Sequence, residues 1–226
     1  MGYGYTKARL YEAVHRYKTL LGHNINDYKI DTMRTCKDNN IHVQGLEFVT
    51  KGLRGMAIVG NNYENDIILL NNKRTKSEQY FDCSHELIHL GLHRNMNKSS
   101  FNCIDKIYAN QDSFLEWQAN EGAAEFCVPY KVLLTLIKEN ADLLDTFMGI
   151  DTLKLELAEY FGVTIQVIHF RFESLKYEIH QYLNGTKLED IVLTSAAQLK
   201  QDNIKIASIN DKEDYYFKKW KLSKLV

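Results

Sequence analysis

His85 and His89 stand four residues apart, with Glu86 directly after the first, in the segment Phe81-Asp82-Cys83-Ser84-His85-Glu86-Leu87-Ile88-His89. On a helix, side chains at i and i+4 lie one above the other on the same face, so two imidazoles at this spacing can grip one metal ion. They supply two of the three protein ligands that a catalytic zinc takes. Glu86 falls at the edge of that face, within reach of a water on the metal without binding the metal itself, which makes it the natural proton acceptor. Leu87, Ile88, Leu90 and Leu92 make the remaining faces apolar. The helix is therefore expected to be buried, and its histidines become polar groups in need of partners. A metal serves both at once.

The third ligand sets the class of site. A metzincin needs a third histidine ten residues after the first and a glycine seven after it, whereas here Gly91 and His93 fall at six and eight. His93 also lies roughly 12 Å along a straight helix from His85, too far to share one ion with it. The other common solution is a glutamate from a later helix. The stretch Glu116-Trp117-Gln118-Ala119-Asn120-Glu121-Gly122-Ala123-Ala124-Glu125-Phe126-Cys127 offers three. On a helical wheel Ala119, Ala123 and Cys127 form a stripe of small residues that permits close approach to the first helix, and Glu116 and Asn120 are the polar residues on it. Glu116 is accordingly the expected ligand, with Glu121 and Glu125 expected as solvated charges. Asn120 is placed to accept a hydrogen bond from a ligand imidazole. His93, on the site side of its helix, is placed to stabilise an oxyanion.

Two helices carry these residues, and the rest of the chain must hold them. Leu10, Val14, Tyr17 and Leu21 recur at helical spacing over residues 6 to 21, with Gly22 as the stop. A second helix is expected to start at Asp31. Residues 41 to 49, 55 to 59 and 66 to 70 then read as short strands separated by turns such as Gly60-Asn61-Asn62, which implies a small antiparallel sheet. From Ser77 the pattern turns helical, over 77 to 93, 112 to 127, 130 to 145, 151 to 161 and 165 to 183, the third opened by Pro129. Strands first and helices later is the α+β arrangement. Beyond Gly185, residues 189 to 194 and 203 to 208 read as strands, followed by a lysine-bearing tail from Lys218 to Lys224 that reads as solvated.

The chain's 226 residues suffice for a real core, and a formal net charge of −1 gives no broad field to attract nucleic acid or an anionic membrane. The four cysteines, Cys36, Cys83, Cys103 and Cys127, form no CxxC pair and read as reduced thiols in a cytosol. Residues 1 to 10 contain no apolar stretch that could serve as a signal, and no apolar run is long enough to span a bilayer, so a cytoplasmic protein is expected. Met1-Gly2 followed by Thr6 fits only the loose acylation pattern, and the glycosylation sequons at Asn97 and Asn184 have no meaning in a protein that is not secreted.

Taken together, the HELxH segment ending in His93, the ExxAN segment beginning at Glu116 with its alanines and Pro129, and Leu157-Ala158-Glu159-Tyr160-Phe161-Gly162-Val163-Thr164 leading into Arg171 make the chain resemble the ImmA/IrrE-type metallopeptidases of bacteria, phages and integrative elements. The resemblance covers roughly residues 1 to 180. Ile88 stands where that family often has glycine, and Gly122 where it often has phenylalanine. The resemblance implies a gluzincin-like fold and cleavage of a helix-turn-helix repressor that silences a mobile element, prophage or stress operon. The expected organisation is a zincin-like metalloprotease domain over 1–147, a helix-turn-helix-like pair over 148–183 and an extension of unassigned role over 184–226. The expected cofactor is Zn²⁺, although the ligand set does not itself select against Mn²⁺, Fe²⁺ or Co²⁺.

Two rival readings are a regulator that keeps the fold and acts by binding a repressor without cutting it, and a DNA-binding protein using Leu157 to Leu175 as a helix-turn-helix. The second helix of that pair carries Gln166, His169 and Arg171, but Lys154, Arg171 and Lys176 stand among four glutamates, a poor footprint for phosphate contacts. Direct nucleic-acid binding is not expected.

Overall fold

Thr75 followed three residues later by Glu78 is a capping box: Thr75 Oγ1 accepts from the Glu78 amide at 3.3 Å while Glu78 Oε2 accepts from the Thr75 amide at 2.8 Å. This opens the helix that carries His85, Glu86 and His89. The computed structural model describes residues 6–61, 66–96, 98–104 and 112–223. Of the sequence features above, Met1-Gly2, Asn62, Asn97 and Lys224 lie outside the described residues.

The order of elements is α1 (Lys7–Leu20), α2 (Thr32–Asp38), β1 (Ile41–Leu46), β2 (Leu53–Ile58), β3 (Asp66–Asn71), α3 (Lys76–Leu92), β4 (Ser100–Ile104), α4 (Ser113–Cys127), α5 (Tyr130–Glu139), α6 (Phe147–Phe161), α7 (Ile165–Ser174), α8 (Lys176–Leu183), α9 (Ala196–Gln201) and α10 (Ile209–Ser223). The class is α+β, with one four-stranded sheet among the described residues. The described chain divides into two compact units, one of residues 10 to 127 and the other of residues up to 9 together with those from 128 onward.

In the first unit the sheet order is β1-β3-β2-β4. β2 runs antiparallel to both β3 and β4, but β1 runs parallel to β3, with Ile41 opposite Asp66 and Leu46 opposite Asn71. The sheet is thus mixed, not antiparallel throughout. Composition accounts for the strand order: apolar β3, with Ile68 and Leu70 fully buried, takes an interior place, while the largely exposed β1 takes an edge. β4 went unread in the sequence because a five-residue strand with two inward side chains, Phe101 and Cys103, carries little periodic signal. Its inward residues join Leu53, Gly55 and Ala57 of β2 and Ile68 and Leu70 of β3 as buried positions, and α3 packs against these three strands.

α3 also packs on α4. The small stripe on α4 is buried as expected, with Ala119, Ala123 and Cys127 fully inaccessible and Cys127 Sγ donating to Ser84 Oγ at 3.2 Å. The opposite face of α4 is not solvated, because α1 covers it. Tyr11 donates to Glu121 Oε1 at 2.5 Å, His15 Nε2 lies 2.8 Å from Glu125 Oε1, and both glutamates are buried. The expectation that these two carboxylates are solvated is overturned: each exchanges water for a hydrogen-bonding partner on α1.

In the second unit Gly162 closes α6 in the left-handed conformation, φ 70°, which glycine adopts without a Cβ penalty. The expected helix over 130–145 stops at Glu139 and continues as a short 3-10 segment, and that over 165–183 breaks at Leu175 into α7 and α8. The segments read as strands at 189–194 and 203–208 are not strands. The Gln181 side chain bonds both polar groups of the Val192 backbone, at 2.9 and 3.0 Å, and Glu178 Oε1 accepts the Thr194 amide at 2.8 Å. Side chains of α8 thereby take the hydrogen bonds a neighbouring strand would have taken. The second segment turns back at Asn203, φ 53°, so that Ile204 N donates to Leu199 O at 2.9 Å and closes α9. The lysine-bearing tail is likewise not a loose tail up to Ser223 but the helix α10, whose Ile209 and Asn210 are buried while Lys218, Lys219 and Lys221 stay exposed.

Candidate metal centre

The four-residue spacing on α3 brings His85 Nε2 and His89 Nε2 to 3.1 Å of one another, and α4 brings Glu116 between them, Oε2 at 3.5 Å from the first and Oε1 at 3.7 Å from the second. Two nitrogens bound to one tetrahedral zinc at about 2.05 Å stand about 3.3 Å apart, so these separations fit a shared ion. His85, His89 and Glu116 form a buried group whose donor atoms all lie within 4.8 Å of one another. A second such group, His85, Glu86 and Cys103, would consume Glu86 and requires a thiolate, whereas burial pushes the Cys103 thiol well above its ordinary range. The histidine-histidine-glutamate set is the better metal cage.

Electrostatics favour the same set. Burial, and then the neighbouring imidazoles, hold the His89 pKa well below the ordinary histidine value, so its ring is neutral and has a lone pair to give. Glu86 is fully buried, and among the described residues neither carboxylate oxygen has a hydrogen-bond partner. Burial first, then the carboxylates of Glu116 and Asp82, push its carboxyl well above the usual range. A buried unpartnered carboxylate beside two imidazoles is what a cation and its water would satisfy.

The flanking candidates fall differently. Asn120 is half-buried, and among the described residues no hydrogen bond joins it to His85 or His89; the second nitrogen of His89 meets His93 instead. His93 caps the C-terminus of α3 and is buried with both ring nitrogens engaged: Nδ1 is 2.9 Å from His89 Nδ1 and Nε2 is 2.8 Å from Gln118 Oε1. With neither nitrogen directed to an open site, His93 is not placed as an oxyanion donor.

Several residues that shape the site were not read in the sequence. Phe101 of β4 stacks on His89, ring centroids 4.5 Å apart at 13°. Gly55 of β2 faces the Glu86 carboxylate so closely that a Cβ there would come within 2.9 Å of Oε1. Asp82, one turn before Glu86, is buried and accepts from Arg74 Nε at 2.5 Å. The only available sequence signal was the glycine inside a strand, which marks a close approach.

No helix among the described residues is long and apolar enough to cross a membrane. No curated protein matches the sequence. Residues 36–173, more than half of the chain and including α3 and α4, match the family described as the IrrE N-terminal-like domain, a peptidase family. The chain belongs to this family of metallopeptidases.

Proposed function

We propose that the chain is a zinc-dependent endopeptidase of the HExxH, gluzincin-like type, with His85, His89 and Glu116 as the metal ligands and Glu86 as general base, and that its substrate is a helix-turn-helix repressor of a mobile element, prophage or stress operon. The observation that supports it most is the convergence of His85 Nε2, His89 Nε2 and the Glu116 carboxylate beside the unpartnered Glu86. When bound, the metal supplies Lewis acidity, bringing the pKa of a water toward about 7 and polarising a carbonyl. Glu86 accepts the proton of the attacking water and later delivers it to the departing amide nitrogen, a role worth roughly 10²–10⁴ in rate. Its desolvated position keeps that proton from bulk water, and Gly55 leaves it room to move.

In this reading residues 1–147 carry catalysis, the helical pair over 148–183 docks the substrate protein, and the role of 184–226 is unassigned. A DNA-reading role for the pair is disfavoured because two of its three cations are interior: Arg171 is buried, its Nη2 donating to Val128 O at 2.9 Å, and Lys154 is buried and paired with Glu213.

The test is the zinc content of the purified chain beside His89→Ala and Glu116→Ala, read with cleavage of a repressor encoded next to its gene. The reading expects one equivalent of zinc, lost in both variants together with cleavage. A folded chain without metal that binds the repressor and leaves it intact would replace the peptidase by a binding regulator.

A further inference from the structure

We infer that His93 and Gln118 are positioning residues that hold His89 in the one tautomer able to bind a metal; this rests on the reading of His85, His89 and Glu116 as the metal site. His89 turns Nε2 toward His85, 3.1 Å away, and its other nitrogen, Nδ1, toward His93 Nδ1 at 2.9 Å. His93 in turn presents Nε2 to Gln118 Oε1 at 2.8 Å. His89, His93 and Gln118 are all inaccessible to solvent, so water does not break the chain of contacts.

A neutral imidazole has one N–H and one lone pair. Two Nδ1 atoms at hydrogen-bond distance therefore share a single proton, and the proton positions along the chain are linked. In one arrangement His93 Nε2–H donates to Gln118 Oε1 and His89 Nδ1–H donates to His93 Nδ1, which leaves the His89 Nε2 lone pair facing His85. In the other, the Gln118 amide turns to donate to His93 Nε2, His93 Nδ1–H donates to His89 Nδ1, and the remaining proton sits on His89 Nε2, where it blocks coordination. The orientation of one amide thus sets whether His89 can serve as a ligand. Gln118 presents its oxygen, the competent choice, but its Nε2 is buried with no partner among the described residues, so nothing else holds the amide in that sense. An ionised glutamate at 118 can only accept and would remove the blocked arrangement.

The experiment is zinc affinity by chelator competition for wild type, Gln118→Leu and Gln118→Glu, with ¹⁵N NMR of the imidazoles in the zinc-loaded wild type. Expected are a loss of roughly 10–100-fold in affinity for Gln118→Leu, an affinity at or above wild type for Gln118→Glu, and a His93 ring protonated on Nε2 and bare on Nδ1. An affinity for Gln118→Leu within about twofold of wild type, or a His93 ring protonated on Nδ1 in the zinc-loaded protein, overturns the inference and leaves the metal site standing. A wild type that takes up no zinc overturns the metal site and the inference with it. Should Gln118→Leu fail to fold, the wild-type ring tautomers and the Gln118→Glu affinity decide.

Discussion

Gly122 on α4 lies directly against Ile88 on α3: a Cβ added to Gly122 would come within 3.0 Å of Ile88 Cγ2 and 3.2 Å of Val14 Cγ2. At these two positions the family that the sequence resembles often has glycine, at 88, and phenylalanine, at 122. The larger side chain of this contact stands on α3, one residue before the proposed ligand His89, and the smaller on α4. Gly122→Phe is therefore expected to destabilise by about 1–3 kcal/mol or more through overpacking. Adding Ile88→Gly should recover part of that loss, the double variant being more stable than the sum of the two single changes by about 1–3 kcal/mol. Urea unfolding of the four proteins measures the cycle, and strict additivity would mean that the two departures are independent.

Gly55 provides the space in which the Glu86 carboxylate sits. Gly55→Ala should displace that carboxylate, lowering kcat while zinc stays bound, since none of the three proposed ligands is touched. Glu86→Gln should go further, reducing peptide hydrolysis by roughly 10²–10⁴ with metal content unchanged. Metal analysis alongside single-peptide kinetics separates loss of the base from loss of the ion, and survival of full hydrolysis in Glu86→Gln would remove Glu86 from the mechanism.

Lys18 is buried and donates to the carbonyls of Ile25, Asp27 and Phe126, at 3.2 Å for the first and 2.9 Å for the last. Burial lowers its pKa from 10.5 to about 8. Between these values the unfolded chain holds more protons than the folded one, so the Lys18 contribution to stability rises with pH across that window and is lost as pH falls through 8. Lys18→Met should lack this rise. From pH 8 to 10.5 the stability of wild type relative to the variant should increase by about 3 kcal/mol, read from denaturant unfolding at each pH. A difference that is flat in pH would show that the ammonium is not desolvated.

Glu213 on α10 pairs with the buried Lys154 on α6. Glu213→Ala should cost about 1–3 kcal/mol by leaving that ammonium buried without its carboxylate. Replacing both by apolar residues, Lys154→Met with Glu213→Leu, should cost less than the single change. Thermal unfolding of the three proteins tests whether α10 belongs to the folded unit.

Local chemistry along the chain was enough to name the residues that converge in the candidate site. The spacing of His85, Glu86 and His89, the apolar residues around them, and the small stripe that singled out Glu116 are all properties of one helix at a time, and helical periodicity is readable from a single strand of sequence. The α+β class followed from the same kind of pattern. What the sequence withheld were relations between elements distant in the chain. Glu121 and Glu125 looked solvated because nothing on α4 announces that α1 covers its far face. The strands expected after Gly185 do not form, because side chains of α8 satisfy the backbone at Val192 and Thr194 and the chain turns back at Asn203 to close α9. β3 lies between β1 and β2 because the more apolar strand goes to the interior of the sheet, a choice made by burial and not by order in the chain. His93 read as an oxyanion donor and Asn120 as the partner of a ligand imidazole, whereas in the fold His93 meets His89 and Gln118 meets His93. Periodicity fixes which face of an element a residue occupies; only the packing of faces against one another fixes what that residue meets.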